Sequence, residues 1–394
     1  MNRPPVEVAD IFRAQGSAFM DPYQKRIRFR QMKVMQAIVR CRTAALGGHI
    51  DACPRCGGDR TISYNSCRDR HCPKCQAQAR QRWIAARERE LLAVSSYFHV
   101  VFTLPHELQP LVRQNEVELY NLLFRTVAET LLEVARNPEH LGAEIGFFSI
   151  LHTWGQNVLF HPHIHCVIPA GGLAPDHTRW IHPRYPFFLP VKVLGKVFRG
   201  KFVDGLRKAF RRECLNFDGQ IQHMAQPKYF AAFLRMLFRQ DWVVYAKPAF
   251  GGPEQVLRYL GRYTHRVAIS NHRLLSFDGD NVTFRWRDYA CGNKQKKMTV
   301  SADEFIRRFL LHVLPKGFVR IRHFGFMANS QRSVSMQLCH RLLKMEPVVH
   351  SAEVPSTNSG WLCPICHAPM TVIERLTPAQ IAWRFPSKCF PDTS

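Results

Sequence analysis

Hydrophobic positions along the chain follow two periods, which separate predicted strands from predicted helices. Apolar runs at Phe147–Thr153 and 163–168 flank a turn at Trp154–Asn157, and this stretch predicts a β-hairpin. Apolar residues at helical spacing predict long amphipathic helices over 107–136 and 192–213. Other short apolar or alternating runs predict further strands at 97–104, 242–246, 273–277 and 282–287. The pattern therefore predicts a protein of mixed helices and strands.

Three histidines in the predicted hairpin are candidates for one metal site. His163 and His165 alternate with Ile164, so both imidazoles point to the same face of their strand while Ile164 enters the core. His152 on the preceding strand can lie opposite them and complete a three-nitrogen site. Such a site with open positions suits a metal that also binds a substrate oxygen. The alternative is a half-buried strand in a chain that holds 19 histidines.

The charge of the chain points to a polyanionic partner. The 394 residues are enough for two or three domains, and 55 Lys and Arg against 30 Asp and Glu give a net charge of +25. Nucleic acid is the usual partner of such an excess, and a basic peripheral membrane protein is the competing interpretation. No apolar run approaches the length of a membrane span, and the first residues lack a signal-peptide pattern. We therefore expect a cytoplasmic protein whose 13 cysteines are reduced.

The cysteine spacing predicts structural zinc. Two Cys-Pro-x-Cys knuckles, at Cys53/Cys56 and Cys72/Cys75, have the spacing of one four-thiolate zinc site. Three nearby residues could replace one of these cysteines or lie behind them, namely Cys67, His71 and His49. Basic side chains crowd around the knuckles as a DNA-binding module requires, among them Arg68, Arg70 and Lys74.

A third knuckle near the C-terminus is a weaker signal. Cys363 and Cys366 could bind a second zinc together with Cys339 or Cys389. The preceding stretch, 346–359, has the composition of a linker.

Two tyrosines on a predicted helix over 253–264 are candidate nucleophiles. Tyr259 and Tyr263 are four residues apart and therefore lie on the same helical face. An aromatic packing pair is the alternative, but Arg258 and Arg262 add positive charge that favours a surface facing phosphate. A tyrosine beside a histidine-bound divalent ion can attack a phosphodiester and form a phosphotyrosine with a free 3′-hydroxyl.

Four motifs together resemble a known family. In order and spacing they cover roughly residues 45–330, and they are Cys67–Cys75, Phe102–Leu108, His161–His165 and Tyr259–Tyr263. The chain resembles the HUH endonuclease superfamily, and more narrowly the two-tyrosine rolling-circle transposases of the insertion-sequence ninety-one family. The resemblance implies that His163 and His165 bind the metal and that both tyrosines are nucleophiles. It also implies a catalytic core built on an antiparallel sheet flanked by helices.

These observations predict an α+β protein in three consecutive parts. Residues 1–92 form a basic helix and a zinc-binding, DNA-binding domain, 93–330 the HUH-type catalytic domain, and 331–394 a linker and tail with the third knuckle. The expected cofactors are structural Zn²⁺ and catalytic Mg²⁺ or Mn²⁺, and the expected partner is single-stranded DNA at element ends and target. The expected activity is cleavage and rejoining of that DNA during transposition. A plasmid replication initiator or relaxase and a non-catalytic zinc regulator are the alternatives.

Overall fold

The computed structural model describes residues 4–23, 27–57, 61–76, 81, 84, 91–184, 188–250, 268–288, 291–345 and 362–385. Within these residues the helices are α1 (Val8–Tyr23), α2 (Phe29–Arg40), α3 (Gln109–Gln114), α4 (Glu116–Arg136), α5 (Val191–Arg211), α6 (Pro227–Arg239), α7 (Ala302–Leu310), α8 (Arg332–Leu342) and α9 (Pro378–Arg384). The strands are β1 (Gly48–Ala52), β2 (Thr61–Tyr64), β3 (Tyr97–Thr103), β4 (Gly146–Trp154), β5 (Phe160–Pro169), β6 (Gly172–Leu173), β7 (Trp180–Ile181), β8 (Val244–Phe250), β9 (Leu274–Phe277), β10 (Asn281–Asp288), β11 (Lys294–Ser301), β12 (Ile321–Gly325) and β13 (Thr371–Leu376). The predicted helix 253–264 and linker 346–359 lie outside the described residues.

The chain divides into two compact units, and the larger is built on one antiparallel sheet. This unit takes the described residues of 80–264 and 314–348. Its five strands lie in the order β12-β4-β5-β3-β8, and every neighbouring pair is antiparallel. The predicted hairpin β4–β5 is therefore at the centre of the sheet, where neighbours on both sides fix its position.

The two faces of this sheet are covered differently. Ile164 and Phe102 are neighbours on one face, where the Phe102 ring packs 5.1 Å from that of Phe198 on α5. On the opposite face Ile150 and Val167 pack with Met336 of α8 in a buried apolar cluster. His152, His163 and His165 belong to this second face because strand side chains alternate. The three histidines therefore lie on the sheet face against which α8 packs.

The smaller unit joins segments that are far apart in sequence. It takes the described residues of 1–79, 265–313 and 349–394. One three-stranded sheet has the order β13-β1-β2 and another the order β11-β10-β9. Helix α7 packs on α1 through Phe12 and Phe309, whose rings are 5.2 Å apart.

The α+β class, with a cysteine-rich N-terminal part, a central antiparallel sheet flanked by helices and further cysteines near the C-terminus, confirms the expectation. The smaller unit joins segments that are distant in sequence, because β13 pairs with β1 and α7 packs on α1, and the division into parts at residues 92 and 330 stays a prediction. Among the described helices, none is long and apolar enough to cross a membrane.

Candidate metal centres

Three histidines of the central hairpin face one another. His152 on β4 is directly opposite His163 on β5, and His165 is the next residue along β5 on the same face. The ring centroid of His165 lies 4.4 Å from that of His152 and 4.7 Å from that of His163. One nitrogen from each ring lies within 4.8 Å of the others, and all three side chains are buried. The structure thus brings together the three residues that the sequence grouped, in an arrangement that a single ion can bridge.

The surroundings of His163 prepare it as a metal ligand. Its Nδ1 lies 2.7 Å from the carbonyl oxygen of His161. Because a carbonyl oxygen only accepts, Nδ1 carries the proton and donates a hydrogen bond to that oxygen. The lone pair is then on Nε2. Burial lowers the pKa of His163 to about 4, which keeps the imidazole neutral near pH 7. Neutral imidazole is the form that binds metals.

A fourth histidine supports His165 and was missed in the sequence. His99 on β3 is buried, and its Nε2 lies 2.8 Å from Nδ1 of His165. The two rings lie nearly in one plane, with centroids 5.0 Å apart and an angle of 7° between their planes, so they meet edge to edge through this hydrogen bond. A ligand histidine commonly uses its second nitrogen in such a hydrogen bond, which fixes its tautomer and orientation. The available signal was that Tyr97–Leu104 is a predicted strand, but its pairing with β5 could not be read from the sequence.

The cysteines form two clusters in the smaller unit. One consists of Cys41, Cys67, Cys72 and Cys75, and the other of Cys53, Cys56, Cys363 and Cys366. In each cluster the four sulfurs lie within 4.8 Å of one another. The structure therefore does not bring Cys53 and Cys56 together with Cys72 and Cys75, and the single four-cysteine site expected from the sequence is corrected to two clusters.

The pairing of distant segments explains this correction. Strand β13 lies beside β1 and places the C-terminal knuckle next to Cys53 and Cys56. Cys41, at the C-terminal end of α2, joins the other cluster with its sulfur 3.5 Å from that of Cys75. Cys41 belongs to no local motif and was not singled out.

Of the two cysteines considered as partners of the third knuckle, the structure describes only Cys339, which does not join it. Cys339 lies buried on α8 in the larger unit, and Cys389 is outside the described residues. Among the described residues, Cys53 and Cys56 are the partners of Cys363 and Cys366 in place of the expected Cys339.

Ionisation of the first cluster requires a compensating charge. The pKa of the Cys72 thiol is raised, first by its hydrogen bond with the Cys41 sulfur and also by burial. Four thiolates this close together repel one another unless a cation lies between them. The donor set of both clusters fits tetrahedral zinc, which binds thiolate sulfur.

The basic residues predicted to contact DNA have different surroundings. Arg68 is exposed, whereas Arg70 is half-buried and its pKa is lowered by that burial. Lys74 forms an ion pair with Glu7, with 2.8 Å between Nζ and the carboxylate oxygen, and both side chains are nearly covered. Of these three, only Arg68 has an exposed side chain. The predicted tyrosines and their neighbouring arginines (Tyr259, Tyr263, Arg258 and Arg262) lie outside the described residues.

Comparison with known proteins gives one family match that includes the histidine cluster and another that includes N-terminal cysteines of both cysteine clusters. Residues 146–334, which include the histidine cluster, match a family described as "Putative transposase", and residues 11–104 match one described as "Transposase zinc-binding domain". The chain is 51% identical over 378 residues to "Putative transposase y4qJ" of Sinorhizobium fredii, covering 93% of this chain and 94% of that one. It is 26% identical over 333 residues to "Transposase for insertion sequence element IS801" of Pseudomonas savastanoi pv. phaseolicola, covering 81% and 75%.

No solved structure matches the chain significantly. The zinc-binding family match accords with the cysteine clusters and supports structural zinc. A transposase acts on DNA, which agrees with the net charge of +25. On these matches over nearly its whole length, the chain belongs to the IS91 family of transposases and is a DNA-processing enzyme.

Proposed function

We propose that this transposase cleaves and rejoins single-stranded DNA at the ends of its element and at the target by metal-assisted tyrosine attack, as an HUH endonuclease in rolling-circle transposition. The observation that carries the proposal is the buried cluster of His152, His163 and His165 at the centre of the sheet. Family membership favours transposition over plasmid replication or relaxation. A cluster of donor nitrogens on adjacent strands favours catalysis over a purely regulatory zinc protein.

The three histidines would hold one divalent ion. A bound ion there would polarise an oxygen of the scissile phosphodiester. All the donors in the cluster are imidazole nitrogens, which suit transition metals, whereas Mg²⁺ prefers oxygen ligands. Of the two catalytic ions considered, Mg²⁺ and Mn²⁺, the donor set therefore favours Mn²⁺. His99 and the His161 carbonyl orient two of the three rings before any ion binds.

Tyr259 and Tyr263 would supply the nucleophiles. The phenolic oxygen forms a bond to phosphorus as the bond to the 3′-oxygen breaks, which leaves a 5′-phosphotyrosine and a 3′-hydroxyl. Because a phenol has a pKa near 10, positive charge beside the tyrosines must favour its anion, and Arg258 and Arg262 are adjacent in sequence. The phosphotyrosine keeps the ester activated, so a 3′-hydroxyl of another strand can reseal it. Two tyrosines permit two such exchanges in succession.

A nicking assay with histidine variants tests this proposal. His163→Ala and His165→Ala should each abolish Mn²⁺-dependent nicking of an oligonucleotide that carries an element end. DNA binding should remain largely intact, because it depends on the basic surface and the zinc-binding part. His177→Ala is the control. His177 is an exposed histidine of the same unit, and its side chain forms a hydrogen bond with the Glu144 carboxylate and is not part of the histidine cluster. Normal nicking by both cluster variants, or loss of folding in both, would favour a structural role for these histidines.

A further inference from the structure

We propose that Cys53, Cys56, Cys363 and Cys366 bind a second zinc ion, which fastens the C-terminal segment 362–385 to the N-terminal zinc-binding part. The family match to a zinc-binding domain ends at residue 104 and so includes only half of these ligands. The inference does not depend on the catalytic proposal, because it concerns metal content and not cleavage.

The sulfur positions fit a tetrahedral metal. The Sγ of Cys53 lies 3.4 Å from that of Cys366, and the Sγ of Cys56 lies 3.6 Å from that of Cys363. With Zn–S bonds of about 2.3 Å, the sulfurs of a tetrahedral site are about 3.8 Å apart. A disulfide would require about 2.05 Å. The observed spacing, shared by two pairs across one centre, is that of ligands around an ion.

The backbone builds two matching turns around this centre. In the first turn the Gly57 N–H donates to the Cys53 carbonyl at 3.0 Å, and in the second the His367 N–H donates to the Cys363 carbonyl at 2.9 Å. Gly57 and His367 follow the last cysteine of their turns, and both have left-handed backbone with φ of 66° and 55°. A left-handed non-glycine residue such as His367 is uncommon. Two turns of the same unusual conformation that face each other indicate a shared ligand.

The apolar surroundings of this centre are small. Among the described residues, Met370 is the one buried apolar side chain that packs with Cys53 and Cys363 in this cluster. An apolar cluster of this size provides too little buried area to fix a segment. Metal binding energy can provide what this small core lacks.

The same segment is also attached by strand pairing, so the ion would reinforce an existing connection. Strand β13 pairs with β1 from Gly48↔Leu376 to Ala52↔Thr371, immediately after the second knuckle. Helix α9 follows, beginning at a Thr377–Gln380 capping box and burying Ile381. The zinc-binding part of this transposase would therefore be completed by the end of the chain.

Metal analysis and cysteine alkylation of the full-length protein test the proposal. We expect two zinc ions per chain. Cys56 is the informative residue because it is exposed, so burial does not protect it from an alkylating reagent and a bound metal would. Cys214 and Cys291 are also exposed and lie outside both clusters, so they provide the matched reference. In wild-type protein Cys56 should react more than about tenfold more slowly than these two, until a strong chelator is added.

Variants separate the two sites. Cys363→Ser combined with Cys366→Ser should reduce the content to one zinc and expose Cys56 to alkylation. Cys214→Ser combined with Cys291→Ser should keep two. One zinc per wild-type chain would overturn the proposal, as would rapid alkylation of Cys56 in the zinc-loaded protein. Protection that a reductant removes and a chelator does not would instead indicate disulfides. Since the alkylation comparison uses wild-type protein, it gives an answer even if the double variant fails to fold.

Discussion

Replacing His99 with phenylalanine should weaken metal binding without disturbing the sheet. The change removes the nitrogen that lies 2.8 Å from Nδ1 of His165, while a planar phenyl ring still fills the buried space of the imidazole. Both residues are buried, so losing this partner costs about 1–3 kcal/mol. Loss of a hydrogen bond behind a metal ligand typically lowers metal affinity about 10–100-fold, or about 1.4–2.7 kcal/mol.

The assay is nicking of a single-stranded element end over a range of Mn²⁺ concentrations. For His99→Phe we expect the concentration that gives half-maximal rate to rise about 10–100-fold, with a smaller change in the rate at saturating Mn²⁺. His99→Gln should recover part of the loss, because its amide oxygen can accept the same hydrogen bond. His323→Phe is the control. His323 is on β12 of the same sheet, but it is not one of the three clustered histidines.

Two outcomes would refute this reasoning. An unchanged Mn²⁺ dependence would mean that His99 does not orient a metal ligand. An equal loss at every Mn²⁺ concentration, together with a lower melting temperature, would mean that His99 supports the fold only.

Four further substitutions test the backbone of the fold and the basic residues near the first cysteine cluster. Gly325→Ala should destabilise the protein by about 2–5 kcal/mol in denaturant unfolding, because its left-handed backbone (φ 61°) strains any side chain and a methyl group would overlap the Ile145 carbonyl. Gly317→Ala shares the left-handed backbone (φ 74°) but meets nothing within 4 Å, so we expect about 1–2 kcal/mol, and equal losses would contradict the steric argument. Arg68→Gln should weaken DNA binding and reduce the slope of log affinity against log salt by about 1, as measured by fluorescence anisotropy. Lys74→Gln should leave that slope unchanged and lower the melting temperature, because it leaves buried Glu7 unpaired; a changed slope would show that Lys74 contacts phosphate.

Local patterns in the sequence predicted much of the larger unit. The β4–β5 hairpin follows from apolar runs around a turn, and the alternation of His163, Ile164 and His165 fixes their faces. The helix expected at 192–213 is α5, Val191–Arg211. The helix expected at 107–136 is interrupted at Asn115, whose side chain donates to the Leu111 and Asn216 carbonyls. An amide that can bond its own backbone competes with the helix, which hydrophobic periodicity does not reveal.

Local sequence patterns did not predict which distant strands pair with each other. Grouping the cysteines by proximity in sequence favoured Cys53, Cys56, Cys72 and Cys75, whereas the antiparallel pairing of β1 with β13 brings Cys363 and Cys366 to the first pair. His99 joins the histidine site for the same reason, because β3 pairs with β5. Charge counts also did not show that Lys74 is held by Glu7. In each case the missing information is which distant segments are neighbours.

Mapping of a covalent DNA adduct tests the proposed function most directly. The protein is incubated with Mn²⁺ and a single-stranded oligonucleotide spanning an element end, and the trapped adduct is digested and identified by mass spectrometry. We predict a 5′-phosphate ester on Tyr259 or Tyr263, some nicking by Tyr259→Phe and by Tyr263→Phe, and no adduct from the double variant. Phenylalanine keeps the ring, so little stability should be lost. An adduct on serine or on neither tyrosine, or normal cleavage by the double variant, would contradict the account.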